Sequence, residues 1–345
     1  MKKTIGIFLL ITVPMVLCLF LEGCFFPLSF YTPKNEFEFH RNSDGTGYCV
    51  TYWCGFTSPE DIVIPATYED LPVTEICEYA FQGCSATQRI VIPPSVTKIG
   101  SCAFLDCYSL RELTIPRGVT EIGACPVSNC TALSSLTVEE GNPSYKAEGN
   151  CLIDKRSGTL IGVGVDAALP DDGSIRKIGD EVFAGLPVKD VVIPEGVTVI
   201  GDGAFQDCAA LESVALPRSL LYIGSYAFAY CESLASVDIP GGVVQIDDGV
   251  FRDCVSLKTV RLGEGISVIG AYAFSGTAME QIYLPAGISV MGERVFDGCK
   301  TLMRISCGDA SCPEGWDPMW GGDAVGGDRR VKLVWGVANG NAEAA

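Results

Sequence analysis

Histidine is nearly missing from this chain: His40 is the only one in 345 residues. A Ser-His-Asp or Cys-His nucleophile would have to use it, beside Arg41 in an N-terminal stretch apart from the repeats described below. No two of the 17 cysteines stand in a C-x-x-C pair, so a tetrahedral zinc site would need ligands gathered from scattered positions. The glycine-bearing stretch GVGVDAALPDDG has no P-loop lysine. Asp171-Asp172 and Asp247-Asp248 lack the spacing of an EF-hand and read as solvated loops. The sequence therefore implies no metal and no cofactor. Basic charge is scarce as well, with 24 Lys and Arg against 42 Asp and Glu, a net charge of −18. That balance argues against DNA, RNA or anionic lipid as partners, since each is held by basic patches.

What the chain has in abundance is repetition. VTKIGSCAFLDCYSLRELTIPRG recurs as VTVIGDGAFQDCAALESVALPRS, as LLYIGSYAFAYCESLASVDIPGG and as VVQIDDGVFRDCVSLKTVRLGEG. Phe81, Phe104, Phe205, Phe228, Phe251 and Phe274 occupy one slot, with a 23-residue step inside each run. Val127 takes that slot after Phe104, and Phe183 and Phe296 belong to repeats one residue shorter. In each unit L-x-x-V-x-I, as in Leu234, Val237 and Ile239, alternates apolar and outward residues over a short strand that proline ends. V-T-x-I-G is a second short extended piece, ending on a glycine that permits a tight turn. The x-x-A-F-x-x-C piece has the spacing of one helical turn. One such coil buries too little to order itself, so neighbours must share faces and backbone bonds.

This pattern resembles the BspA-like leucine-rich-repeat proteins of bacterial surfaces, over residues 61–307. DIVIPATYEDLPVTEICEYAF resembles that family's opening coil, and CPEGWDPMW followed by LVWGV a C-terminal segment of many members. The resemblance implies an α/β repeat fold: a solenoid of about ten coils with short parallel strands and single helical turns. It also implies a role in surface adhesion, by analogy alone, because members share a scaffold more reliably than a ligand.

Around the repeats the chain divides further. Residues 1–24 read as an export signal, with Lys2 and Lys3 ahead of an apolar stretch over residues 5–21 interrupted by Thr12 and Pro14. Leu21-Glu22-Gly23-Cys24 resembles a lipobox, in which Cys24 takes the lipid; Glu22 departs from that pattern. Uncleaved anchoring and conventional cleavage stay open as alternatives, although no A-x-A-like site is present. Residues 25–60 form a lead-in whose NSDGTG turn joins two strand-like pieces into a capping hairpin. Residues 139–175 carry an insertion, with KRSG as the turn of a hairpin protruding from one long repeat. Residues 308–345 form a cap and tail, with Trp316, Trp320 and Trp335 over the open end of the core.

Cys84, Cys107, Cys130, Cys208, Cys231, Cys254 and Cys299 all follow the aromatic slot by three. Stacked equivalents in runs of three cannot all pair, so they read as buried free thiols. Cys102 with Cys125 is the better disulfide pair within the solenoid, and Cys49 with Cys54 and Cys307 with Cys312 are possible pairs at its ends.

The middle outward position of the L-x-x-V-x-I strands reads Val91, Thr114, Thr137, Val192, Ala215, Asp238, Arg261, Tyr283 and Ser306. The row has neither the aromatic stripe of a sugar reader nor the basic stripe of a nucleic-acid reader. Asp238, Arg261 and Tyr283 are its candidate ligand-binding residues, for an extracellular protein of unknown identity. The expected function is non-catalytic binding at the cell surface, with membrane attachment through the lipid or the N-terminal segment. A passive envelope spacer and a glycan hydrolase using abundant carboxylates are the alternatives.

The anchor reading has a direct test. Cys24→Ala should abolish acylation and leave an uncleaved precursor, and Glu22→Ala should improve processing, both followed by mass spectrometry of the membrane fraction. A wild-type N-terminus well beyond residue 24 would remove Cys24 from consideration.

Overall fold

A computed structural model of the chain describes residues 36–54, 58–326 and 331–338. Cys24 and the apolar segment before it lie outside the described residues. Two-residue and three-residue strands cannot close a sheet inside one repeat, so each pairs in parallel with its counterpart one repeat on. The result is a leucine-rich-repeat solenoid of about eleven turns with little helix. One wall stacks the V-T-x-I pieces, from Leu71–Ile76 through Lys98–Ile99 to Glu121–Ile122, and again from Lys177–Ile178 to Val290–Met291. The other wall stacks the L-x-x-V-x-I pieces, such as Ser236–Asp238 on Thr259–Arg261, which pair residue for residue.

The segment carrying the aromatic slot is not the helical turn its spacing suggests. Tyr226 and Tyr230 have φ of 56° and 60°, and a left-handed residue on each side of Phe228 stops a helix from propagating. The amides alternate instead. Those of Tyr226, Phe228 and Tyr230 donate to Asp248, Val250 and Arg252 of the next coil at 2.8–2.9 Å. Those of Ala227, Ala229 and Cys231 donate three residues back within their own coil. Among the described residues the one α-helix is Gly322–Gly326.

Phe183, Phe205, Phe228, Phe251, Phe274 and Phe296 stack nearly parallel, with ring centroids 4.6–5.9 Å apart. Trp320 closes this stack edge-on at 6.0 Å, and Trp316 lies against both Trp320 and Trp335. A shorter stack of Tyr52, Phe81 and Phe104 fills the N-terminal coils. Glu36–Arg41 and Tyr48–Trp53 form an antiparallel hairpin whose second strand pairs in parallel with the first coil.

The two stacks belong to separate cores. Cys151–Asp154 and Thr159–Val163 form an antiparallel hairpin, but it does not protrude. Thr159–Val163 joins the wall beside Lys177–Ile178, and Leu152, Ile153 and Leu160 are fully buried. Leu152 packs into the N-terminal core and Cys151 and Ile153 into the C-terminal one, as side chains alternating across a strand must.

The cysteine slot shows why a thiol suits it. Phe228 O accepts the Cys231 amide of its own coil and the Cys254 thiol of the next, the latter at 3.0 Å. Cys107, Cys130, Cys208, Cys231 and Cys299 donate in the same way to Phe81, Phe104, Phe183, Phe205 and Phe274. Cys84 is the exception to the free-thiol expectation: it is bonded to Cys54, and Cys49 to Cys77. Cys49 and Cys54 lie about 16 Å apart along extended chain, too far to bridge, whereas neighbouring coils bring Cα atoms to 5.5 and 5.3 Å. Cys102 and Cys125 are adjacent but free, and Cys125 Sγ is turned to Asp180 O at 3.3 Å. Cys307 and Cys312 are also thiols, the first buried and the second exposed.

Burial pushes the thiols of Cys125, Cys151 and Cys307 up to about 12. It holds those of Cys208 and Cys254 well above the ordinary value. For Cys130 the hydrogen bond with Cys107 comes first and burial second.

Phe228, fully buried between Phe205 and Phe251, should cost about 3–5 kcal/mol on truncation to Ala. Phe39, half-buried against Tyr68 at 4.1 Å, should cost clearly less. Urea unfolding of the two variants checks this, and equal small losses would contradict the register. For the thiols, alkylation of denatured, unreduced protein should label Cys107, Cys130, Cys208, Cys231, Cys254 and Cys299 and spare Cys49, Cys54, Cys77 and Cys84. Labelling of native protein should be slow, because the thiolate is disfavoured. The raised thiol values also fix a sign: the unfolded chain loses these protons first, so stability is intact below about pH 9 and falls as pH rises above it. A urea midpoint unchanged between pH 8 and 10.5 would contradict that coupling.

Candidate functional site

An inward Val, Ile or Leu, followed in most repeats by a proline that ends the strand, fixes the L-x-x-V-x-I pieces, so the residues on either side of the inward one face solvent. Parallel register then aligns them into a row one strand spacing apart. Val91, Val192, Ala215, Asp238 and Arg261 are exposed along it. Thr114 and Thr137 share a hydroxyl hydrogen bond of 2.9 Å. Asp238 and Arg261 are register partners, and Arg261 Nη1 donates to Asp238 Oδ1 at 3.2 Å. Their side chains stay 71% and 68% exposed. An ion pair this open is a weak stabiliser of the fold, so its charges are held at the surface without being used up there.

Tyr283 follows on Gln281–Leu284 but is only half-exposed. Its ring leans toward the C-terminal coil, and a Cβ placed on Gly308 would lie 3.0 Å from Tyr283 Oη. Burial, and then the charges of Glu264 and Asp309, push the phenol up. Ser306 does not join the exposed row. It is buried, because Lys332–Trp335 pairs alongside Arg304–Cys307 and sets Val334 against Ser306. The alternation in LVWGV was the signal for that last strand, which the cap reading had absorbed.

Acidic groups outside the row serve the stacking of coils. Asp248 Oδ1 accepts the Ala271 amide at 2.7 Å, and Asp202 Oδ1 the Ser225 amide at 2.9 Å. Asp247 accepts from Tyr222 Oη at 2.5 Å, a bond that pushes the phenol up to about 12. Asp172 accepts the Ser174 amide and pairs with Lys146. Among the described residues no three His, Cys, Asp or Glu side chains converge as metal ligands would. His40 lies on the exposed lead-in hairpin within 3.4 Å of the Thr51 hydroxyl.

The BspA type leucine rich repeat region matches in 6 copies over residues 52–151 and 176–303. A leucine-rich repeat protein from Bacteroides ovatus has a solved structure similar to this one, at 30% identity and a TM-score of 0.57. The match covers 88% of this chain and 70% of that one. The pneumococcal vaccine antigen PcpA shares the fold at 16% identity and a TM-score of 0.51, over 89% of this chain and 98% of its own. A search of curated proteins finds no match. With two-thirds of its length matched by the repeat and the coils stacked as described, the chain belongs to the BspA-type leucine-rich-repeat family.

Proposed function

We propose that the protein is exported, held at the cell surface through Cys24 or the segment before it, and binds a protein of a host or neighbouring cell through its solenoid face. It does so by shape and surface chemistry, without catalysis. The observation that carries this reading is the juxtaposition of Asp238, Arg261 and Tyr283 on consecutive strands. There an acid, a guanidinium and a phenol stand side by side on a rigid wall otherwise lined with small residues. Arginine and tyrosine are the side chains most often found carrying binding energy at protein interfaces, and a stiff scaffold lowers the entropy lost on binding. Family membership supports the surface role, and PcpA is itself described as a vaccine antigen.

The fragment from Asn35 onward, displayed against an array of extracellular host and bacterial proteins, should bind selectively. Arg261→Glu, Asp238→Ala and Tyr283→Phe should each weaken that binding by about tenfold or more while leaving the urea midpoint unchanged. Binding indifferent to all three changes, or no binding, would favour a spacer role, and turnover of any glycan would favour the hydrolase.

A further inference from the structure

The L-x-x-V-x-I strands fall into four hydrogen-bonded groups; the inserted hairpin separates the two cores at one of the breaks between them, and the two strands flanking that break are finished differently. Ser135–Val138 pairs with Glu112–Ile115 on one side. On the other side its Leu136 amide donates to Asn150 Oδ1 at 2.7 Å, and the Val165 amide caps Leu133 O. Asp190–Val192 pairs with Ser213–Ala215 alone. Lys189 O accepts the Ser213 amide and the Ile193 amide donates to Ala215 O, so the odd-numbered groups face the following coil. Alternation along a parallel strand then turns the N–H and C=O of Asp190 and Val192 to the free edge. Among the described residues no backbone bond reaches them there.

Beside that edge is a groove of about 630 Å³, between residues 165–169 and the strand. Ala167, Leu169, Leu186, Val188 and Val191 give it an apolar lining, and Val192 at its lip is 72% exposed. Asp166, Lys189 and Asp190 stand at the rim, an excess of one negative charge on a chain of −18.

We propose that an extended, basic segment of another protein binds here by strand addition, its backbone completing the ladder with Asp190 and Val192. A residue opposite Val191 on the added strand points inward, so the segment needs an apolar side chain at that position between outward basic ones. This site is independent of the Asp238, Arg261 and Tyr283 row and uses main-chain bonds instead of surface side chains.

The probe is a library of short displayed peptides with Lys or Arg flanking an apolar centre, selected on the full-length protein. Val192→Pro removes one edge amide that makes no bond to Ser213–Ala215, and proline is tolerated on an edge strand. Ala168→Arg, at an exposed lining position, fills the groove and repels a basic segment without touching the ladder. Selected peptides should bind wild type and lose about tenfold or more to each variant, while Arg261→Glu leaves them unaffected. Binding should slow hydrogen exchange at the Asp190 and Val192 amides, which should exchange faster than Val191 and Ile193 in the free protein. N-methylation of alternate peptide amides should abolish binding and of the others should not. No enrichment, or peptides that ignore both variants, would overturn the proposal. So would loss of peptide binding with Arg261→Glu, or self-association that Val192→Pro disperses, which would make the occupant a second copy.

Discussion

Every second amide in the aromatic segment donates to the following coil, and this fixes the distance between coils at one strand spacing. Much else is a consequence of that distance. Planar rings at equivalent positions fall 4.6–5.9 Å apart and can only stack. Where V-T-x-I ends on glycine, as at Gly224, the same closeness and not a special backbone angle favours it. At Gly224 a Cβ would lie 2.7 Å from the Asp202 amide nitrogen and 2.3 Å from its Oδ1, which leaves no room for any side chain. Left-handed backbone is concentrated elsewhere, two residues before and two after the aromatic slot, where Asp, Asn, Tyr, Cys, Glu, Arg and Gly share the position.

Such a bonding scheme leaves the aromatic-slot carbonyl with a spare lone pair inside a dry core. A small side chain with a weak donor answers that need without the desolvation cost of a hydroxyl that must find its own partner. Where a hydroxyl does stand in the slot, at Thr277, its Oγ1 turns back to Phe274 O of the same coil at 2.9 Å, and the Cys299 thiol shares the acceptor. Leu186, three after Phe183, has no donor. The coil before it in the stack belongs to the inserted hairpin's side, where Val127 replaces the ring. The abundance of cysteine is thus a feature of repeat geometry, and among the described residues the disulfides lie in the N-terminal coils, where Cys49–Cys77 and Cys54–Cys84 tie the lead-in to the solenoid.

The repeat register, the inward positions and the alignment of Asp238 with Arg261 were legible in the sequence, because a 23-residue period repeats each packing environment and places equivalents face to face. The helical turn was not, since the A-F-x-x-C spacing suits both a helix and a chain of three-residue turns. Only the left-handed residues beside it, several of them tyrosine, decide between the two. The disulfides were not legible, because Cys49 and Cys54 lie in the lead-in outside the 23-residue period, which therefore does not show which coil positions they meet. Ser306 was misplaced as exposed because the strand covering it lies beyond the last full repeat. The open edge at Asp190–Val192 was hidden for a related reason: periodicity describes what each coil shares, and an insertion acts on the place where sharing stops.

That insertion divides both the ladder and the core of the solenoid. A solenoid with an unbroken ladder passes stress from coil to coil, since each interface stabilises the next. Here Cys151–Asp154 stands between the cores, sending Leu152 one way and Cys151 and Ile153 the other. The V-T-x-I wall breaks at the insertion too: one sheet ends on Glu121–Ile122, and the next begins with the hairpin, whose Thr159–Val163 pairs with Lys177–Ile178. Where the aromatic segments meet across the gap, side chains supply the bonds: Ser128 Oγ donates to Glu181 O at 3.0 Å and Cys125 Sγ to Asp180 O. Both walls are therefore interrupted at the insertion, and on the L-x-x-V-x-I side the break leaves an unfinished strand beside a groove. A ligand strand there would extend the ladder on the Asp190–Val192 side alone, because Asn150 and Val165 already cap the facing strand and its approach at Leu136 and Leu133.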